Sequence, residues 1–132
     1  MAAGEPVPVI PLDSIALPAL RLLKVDVEGM EVSVLEGARN LILRHRPILY
    51  VENDRRENSA RLISLITELG YDLWWHQPAL FSPNNHAGVA DNIFGSIISI
   101  NLLCLPREQP RQLTGFRPVN GPEDWWENAA AA

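Results

Sequence analysis

The chain changes periodicity at Gly29, and that switch limits the folds open to it. Leu20 to Val27 is strand-like and largely apolar, a composition that suits a strand covered on both faces. Gly29 permits a tight turn or a close backbone approach. From Met30 the spacing turns helical, with Val34, Leu35, Ala38, Leu41 and Ile42 on one face. Arg44, His45 and Arg46 occupy the expected last turn, where cations favour the helix dipole, and Pro47 ends the helix.

The alternation repeats. Ile48 to Val51 reads as a second strand, and Ser59 can cap a second helix. Leu62, Ile63, Ile66 and Leu69 form the buried face of that helix, and Gly70 suits its C-terminal cap. Tyr71 to Trp75 reads as a third strand. Trp74 and Trp75 point to opposite faces in a strand, which places at least one in the core. Residues 77–95 form a loop rich in Pro, Asn, His and Gly, and a loop that long is usually functional or mobile. Ser96 to Leu105 reads as the last strand. Val9 to Ile15 is expected as a short extended piece with a turn. Strands alternating with helices imply an α/β layer with parallel strands and right-handed crossovers. The last pair has no helix between its members, so the final strand is expected to run antiparallel.

Size and charge exclude several classes. A chain of 132 residues fits one domain, and its 47% apolar content supports a core rather than disorder. The net charge of −5, without a basic stripe, gives a nucleic-acid partner no electrostatic support. Apolar runs fall short of the ~20 residues a membrane span needs, so no membrane partner is expected. Cys104 is the only cysteine and lies in an apolar run, which implies a buried, inert thiol. With no secretory signal visible, a cytoplasmic location is expected.

Three successive strands run into polar groups: Asp26 and Glu28, then Glu52 and Asn53, then His76. If the strands are parallel neighbours, these groups share one sheet edge, where ligands bind in α/β folds. Structural roles compete for several of them. Glu28 and Glu31 sit in or near a helix first turn, where acids are favoured. Glu52 can cap a turn or pair with Arg55 or Arg56, Asn53 and Asp54 suit a turn, and His76 suits the surface. Asp26 is the hardest to explain structurally, because it interrupts an apolar strand. Asp26, Glu52 and His76 have donor types that could hold a metal, but their spacing is not diagnostic and no metal is assigned. Gly-rich phosphate loops, zinc motifs and nucleophile elbows are absent.

Leu23-Lys24-Val25-Asp26-Val27-Glu28-Gly29-Met30-Glu31, followed by Val34-Leu35-Glu36-Gly37-Ala38, resembles the signature of FkbM-type S-adenosylmethionine-dependent methyltransferases. Arg46 to Asn53, Leu69-Gly70-Tyr71, His76, Leu80 to Asn85 and Asn92-Ile93-Phe94 resemble later parts of the family, so the likeness covers about residues 7–106. It implies a partial Rossmann-like methyltransferase sheet, strands four to seven with the last antiparallel, and two main helices. It implies O-methyl transfer from S-adenosylmethionine to a small-molecule hydroxyl, often on a sugar or natural product. Asp26 would lie near the transferred methyl and contact the cofactor, with Glu28, Glu52, Asn53 and His76 as further catalytic candidates.

The family's Gly-rich turn and ribose-binding acid would precede residue 1. The resemblance therefore implies a truncated, C-terminal half: residues 1–106 as part of the methyltransferase domain and 107–132 as a Pro-rich polar tail. It also leaves one sheet edge exposed. The competing expectation is a non-enzymatic module that pairs through that edge, with a second copy or another partner. Trp125 and Trp126 would serve there as an aromatic anchor or, alternatively, cover core or edge.

Overall fold

The computed structural model describes residues 4–109, 111 and 113–128. Its elements are a 3-10 turn (Leu12–Ser14), β1 (Leu22–Val25), α1 (Glu31–Glu36), α2 (Arg39–His45), β2 (Ile48–Glu52), α3 (Arg56–Glu68), β3 (Tyr71–His76), β4 (Asn101–Pro106) and β5 (Arg117–Pro118). They form one mixed sheet in the order β1-β2-β4-β3-β5. β1 and β2 are parallel. β4 is antiparallel to both β2 and β3, as expected for a strand that returns without a crossover helix. Because β4 opposes both, β2 and β3 run the same way, and the carboxyl ends of β1, β2 and β3 reach one edge.

The expected single helix after Gly29 is two helices. The break follows from Asp13. Its carboxylate accepts from the backbone N–H groups of Asn40 and Leu41 at 3.0 and 2.9 Å, capping α2 from 27 residues away. The Asp13 N–H in turn bonds the Gly37 carbonyl at 2.8 Å. That carbonyl and the Leu41 N–H would otherwise bond each other in a continuous helix, so the 3-10 turn splits the helix by taking both. Ser59 likewise lies inside α3 and not at its start; it is buried and accepts a hydrogen bond from Asn53. β4 begins at Asn101, later than the expected Ser96. The preceding loop closes instead as a short stem, with Ala79 bridged to Ile98 and Leu80 N–H bonded to the Ile97 carbonyl.

The two faces of the sheet differ. Val25, Leu49, Val51, Tyr71, Leu73, Trp75, Leu102 and Cys104 are buried in the core with α1, α2 and α3. The crossovers β1–α1–α2–β2 and β2–α3–β3 step the same way across the sheet, and right-handed connections then put their helices on one face. On the other face, Lys24 is exposed and Tyr50, Leu103 and Trp74 are half-buried. β2 and β3 therefore alternate in burial, where the largely apolar runs suggest cover on both faces, whereas β4 is buried at every position but Leu103. Of the two tryptophans, Trp75 is the core residue. Burial pushes the Cys104 thiol well above its ordinary pKa, which keeps it un-ionised and unreactive.

Residues 116–128 pack onto the sheet. β5 pairs with β3 along its outer edge, and Trp125 stacks edge-on against Trp75, with centroids 5.9 Å apart. Asp124 ties the segment down. Its carboxylate accepts from Trp75 Nε1 at 3.0 Å, from Arg117 Nη1 at 2.9 Å and from the Asn120 backbone N–H at 3.0 Å. Trp125 thus covers core and edge. The opposite margin differs: among the described residues β1 ends the sheet, with Leu22 56% exposed.

Removing one partner of a buried ion pair leaves the other uncompensated. Asp124→Ala should therefore destabilise the chain by about 3 kcal/mol, read as a lower urea midpoint, with quenching of Trp75 and Trp125 altered. A change below about 0.5 kcal/mol, the scale of an ordinary surface substitution, would show that the segment is not held this way.

Candidate functional site

The turn after β1 is built by backbone strain and one brace. Glu28 and Gly29 both take positive φ, 54° and 95°, a conformation glycine tolerates far better than other residues. A Cβ added at Gly29 would meet nothing closer than 3.8 Å, so its backbone angle, and not crowding, calls for glycine. Glu31 is buried and its Oε1 accepts from the Gly29 N–H at 3.0 Å and the Val27 N–H at 3.4 Å. That brace accounts for the second glutamate of the Asp-Val-Glu-Gly-Met-Glu segment. The Asp26 and Glu28 carboxylates stand exposed at this strand end.

Those carboxylates meet Glu52. One oxygen each of Asp26, Glu28 and Glu52 lies within 4.8 Å of the others. Register explains the approach: Lys24 pairs with Tyr50 and Val25 with Val51, so Asp26 and Glu52 are the next pair along. Lys24 Nζ contacts Asp26 Oδ2 at 2.6 Å, and Arg55 Nη2 contacts Glu28 Oε2 at 2.8 Å. Glu52 has no such cation, and its Oε2 is buried without a hydrogen-bond partner among the described residues. Burial first, then the charges of Asp26 and Asp54, push Glu52 up to about 7. Asp26 moves down, mainly through its hydrogen bond to Lys24. The two acids therefore divide: Asp26 stays charged, and Glu52 holds a proton until near neutral pH and shares it with Asp26.

His76 reaches the same edge two strands over, opposite Asn101, which in turn lies opposite Glu52. It is outside the carboxylate group. Its Nδ1 lies 2.8 Å from Tyr50 Oη, and Phe116 lies against its ring with centroids 5.2 Å apart. Asn53 turns away from this edge. It is 3% exposed, its Nδ2 donates to Ser59 Oγ at 2.8 Å, and its backbone N–H bonds the Ile100 carbonyl at 2.8 Å. It pins the end of β2 to α3 and to the loop before β4. The three carboxylates have oxygen donors suited to a hard cation, yet Lys24 and Arg55 already neutralise two of them, and no metal is assigned.

Three residues around this edge are not among the sequence candidates. Lys24 and Tyr50 each stand two positions before an acid, and period-2 alternation puts them on the same face, so that signal was present. Phe116 arrives from the C-terminal segment and has no local signal.

The family model described as the methyltransferase FkbM domain matches residues 2–73. The chain belongs to this family. The matched span contains the braced turn, Asp26, Glu28, Glu52 and Asn53, while His76 and Phe116 lie beyond it. Neither a curated protein nor a solved structure matches the chain. Among the described residues no helix is long and apolar enough to cross a membrane.

The Glu52 shift has a pH consequence. Its folded-state pKa, about 7, lies above the ordinary 4.5, so the folded chain binds the proton more tightly than the unfolded chain. Glu52 thus contributes stability that is full below about pH 4.5 and lost as pH rises through 7. Glu52→Gln should abolish that decline, so that urea midpoints of variant and wild type diverge between these limits. Parallel curves across the window would contradict the shift.

Proposed function

We propose that this chain carries the acceptor side of an O-methyl transfer site that uses S-adenosylmethionine. One observation carries the reading: within the family-matched span, the partly buried Glu52 carboxyl lies within 4.8 Å of the Asp26 carboxylate, a placement that pushes Glu52 up to about 7 while Lys24 holds Asp26 down. A general base works best when its pKa is close to the working pH. Glu52 in its charged form would accept the proton of a small-molecule hydroxyl as that oxygen becomes a nucleophile. S-adenosylmethionine, when bound, supplies a methyl group on a positively charged sulfur. The residues present suit it by charge, because three carboxylates converge where, among the described residues, only Lys24 and Arg55 pair with them. Asp26 would hold that cationic end, and Glu28, tied to Arg55, would border it. Asn53 would keep Glu52 in place through its bonds to Ser59 and Ile100. His76 would contact the acceptor. The buried Cys104 thiol is compatible with a reducing, cytoplasmic setting.

The β1 margin, which among the described residues pairs with no further strand, supports a second reading: a module that adds a strand from a second copy or another partner. Calorimetry with S-adenosylmethionine and S-adenosylhomocysteine, alongside light scattering, separates the two. The first reading predicts saturable binding of both. It further predicts that Asp26→Asn weakens S-adenosylmethionine about fivefold, ~1 kcal/mol, while S-adenosylhomocysteine, whose sulfur is neutral, is nearly unaffected. No binding of either compound by a chain that scatters as a dimer would replace the first reading with the second.

A further inference from the structure

The His76 ring is held on two sides. Tyr50 meets it edge-on, with centroids 5.8 Å apart and an interplanar angle of 63°, and Phe116 leans against it at 42°. The 2.8 Å contact between Tyr50 Oη and His76 Nδ1 is the only hydrogen bond made by the ring among the described residues. Phe116 is brought there by the segment that Asp124 clamps to β3, next to the pairing of Arg117 with Trp75.

Two proton placements fit that contact. If Nδ1–H donates to the phenol oxygen, Nε2 is left as a proton-accepting nitrogen. If the phenol donates to Nδ1, the ring proton sits on Nε2. Chemistry favours the second. A phenol is the more acidic donor, and an imidazole nitrogen is the more basic acceptor. Burial also pushes the Tyr50 phenol up, which keeps it protonated and able to donate.

We propose that Tyr50 is a positioning residue whose hydroxyl fixes the His76 proton on Nε2, so that His76 offers a ligand oxygen an N–H donor and not a base. As a statement about ligand binding this rests on the acceptor-site reading, and it deepens that reading. Proton acceptance falls to Glu52, and His76 recognises an oxygen of the acceptor: a hydroxyl, ether or carbonyl. Phe116 limits rotation of the ring and so holds the donor's direction. A histidine free to rotate would offer either nitrogen; this one is restricted by two aromatic neighbours and one hydrogen bond.

The test is the imidazole nitrogen spectrum of the full-length 15N-labelled chain, with the His76 signals assigned by their loss in His76→Gln. With the ring neutral, Nε2 should carry the proton, and Nδ1 should show the upfield-shifted resonance of a hydrogen-bonded, unprotonated nitrogen. In Tyr50→Phe, which keeps the aromatic ring, the Nδ1 resonance should move downfield toward that of an unbonded nitrogen. A protonated Nδ1 in the wild type would overturn the proposal, as would an Nδ1 resonance unmoved in Tyr50→Phe. Should Tyr50→Phe fail to fold, the wild-type spectrum alone still decides where the proton sits. The spectrum requires no cofactor, so a failed cofactor titration and a wrong proton placement remain distinguishable.

Discussion

The antiparallel insertion of β4 between β2 and β3 is the constraint on which the site geometry depends. The β2–α3–β3 crossover leaves a gap one strand wide, and β4 fills it with Leu102 and Cys104 facing the helices. Its pairing joins the β1–β2 unit to β3 and aligns three strand ends at one edge. Without it, Glu52 and His76 would have no fixed relation. The same insertion brings in the long loop that precedes β4, whose Ile100 carbonyl receives the Asn53 N–H and fixes the end of β2.

That aligned edge concentrates negative charge, and the chain manages it unevenly. Lys24 and Arg55 take Asp26 and Glu28, at 2.6 and 2.8 Å. Glu52 is left with its partly buried carboxyl facing Asp26. Two carboxyls so placed favour one shared proton over two charges. The Glu31 brace makes this arrangement possible, because it stabilises a turn in which a non-glycine residue, Glu28, adopts φ of 54°. Strain of this kind persists where surrounding contacts over-determine the backbone. The edge is therefore a place where backbone strain is held by neighbouring contacts while the Asp26 and Glu28 carboxylates remain open to solvent.

Much of this was legible in the sequence. The strand–helix alternation, the antiparallel last strand and the approach of Asp26 to Glu52 all follow from periodicity and from parallel strand ends. The helix break at Gly37 was not, because its cause is Asp13, a distant residue capping through space. Ser59 read as a helix cap from its residue type, whereas the Asn53 amide recruits it to the core. The role of residues 116–128 was hidden for a similar reason: Asp124 looks like part of a polar tail, and only the fold brings Trp75 and Arg117 to it. Local signals exposed what secondary-structure periodicity decides; tertiary contacts, between residues from 6 to 49 positions apart, decided the rest.

A protonated Glu52 beside a charged Asp26 is the central feature of this edge, and carboxyl carbon resonances report it directly. In 13C-labelled protein, the Glu52 carboxyl should titrate with a midpoint near 7, and Asp26→Asn should lower it. A Glu52 midpoint near its ordinary 4.5, unmoved by Asp26→Asn, would contradict the account.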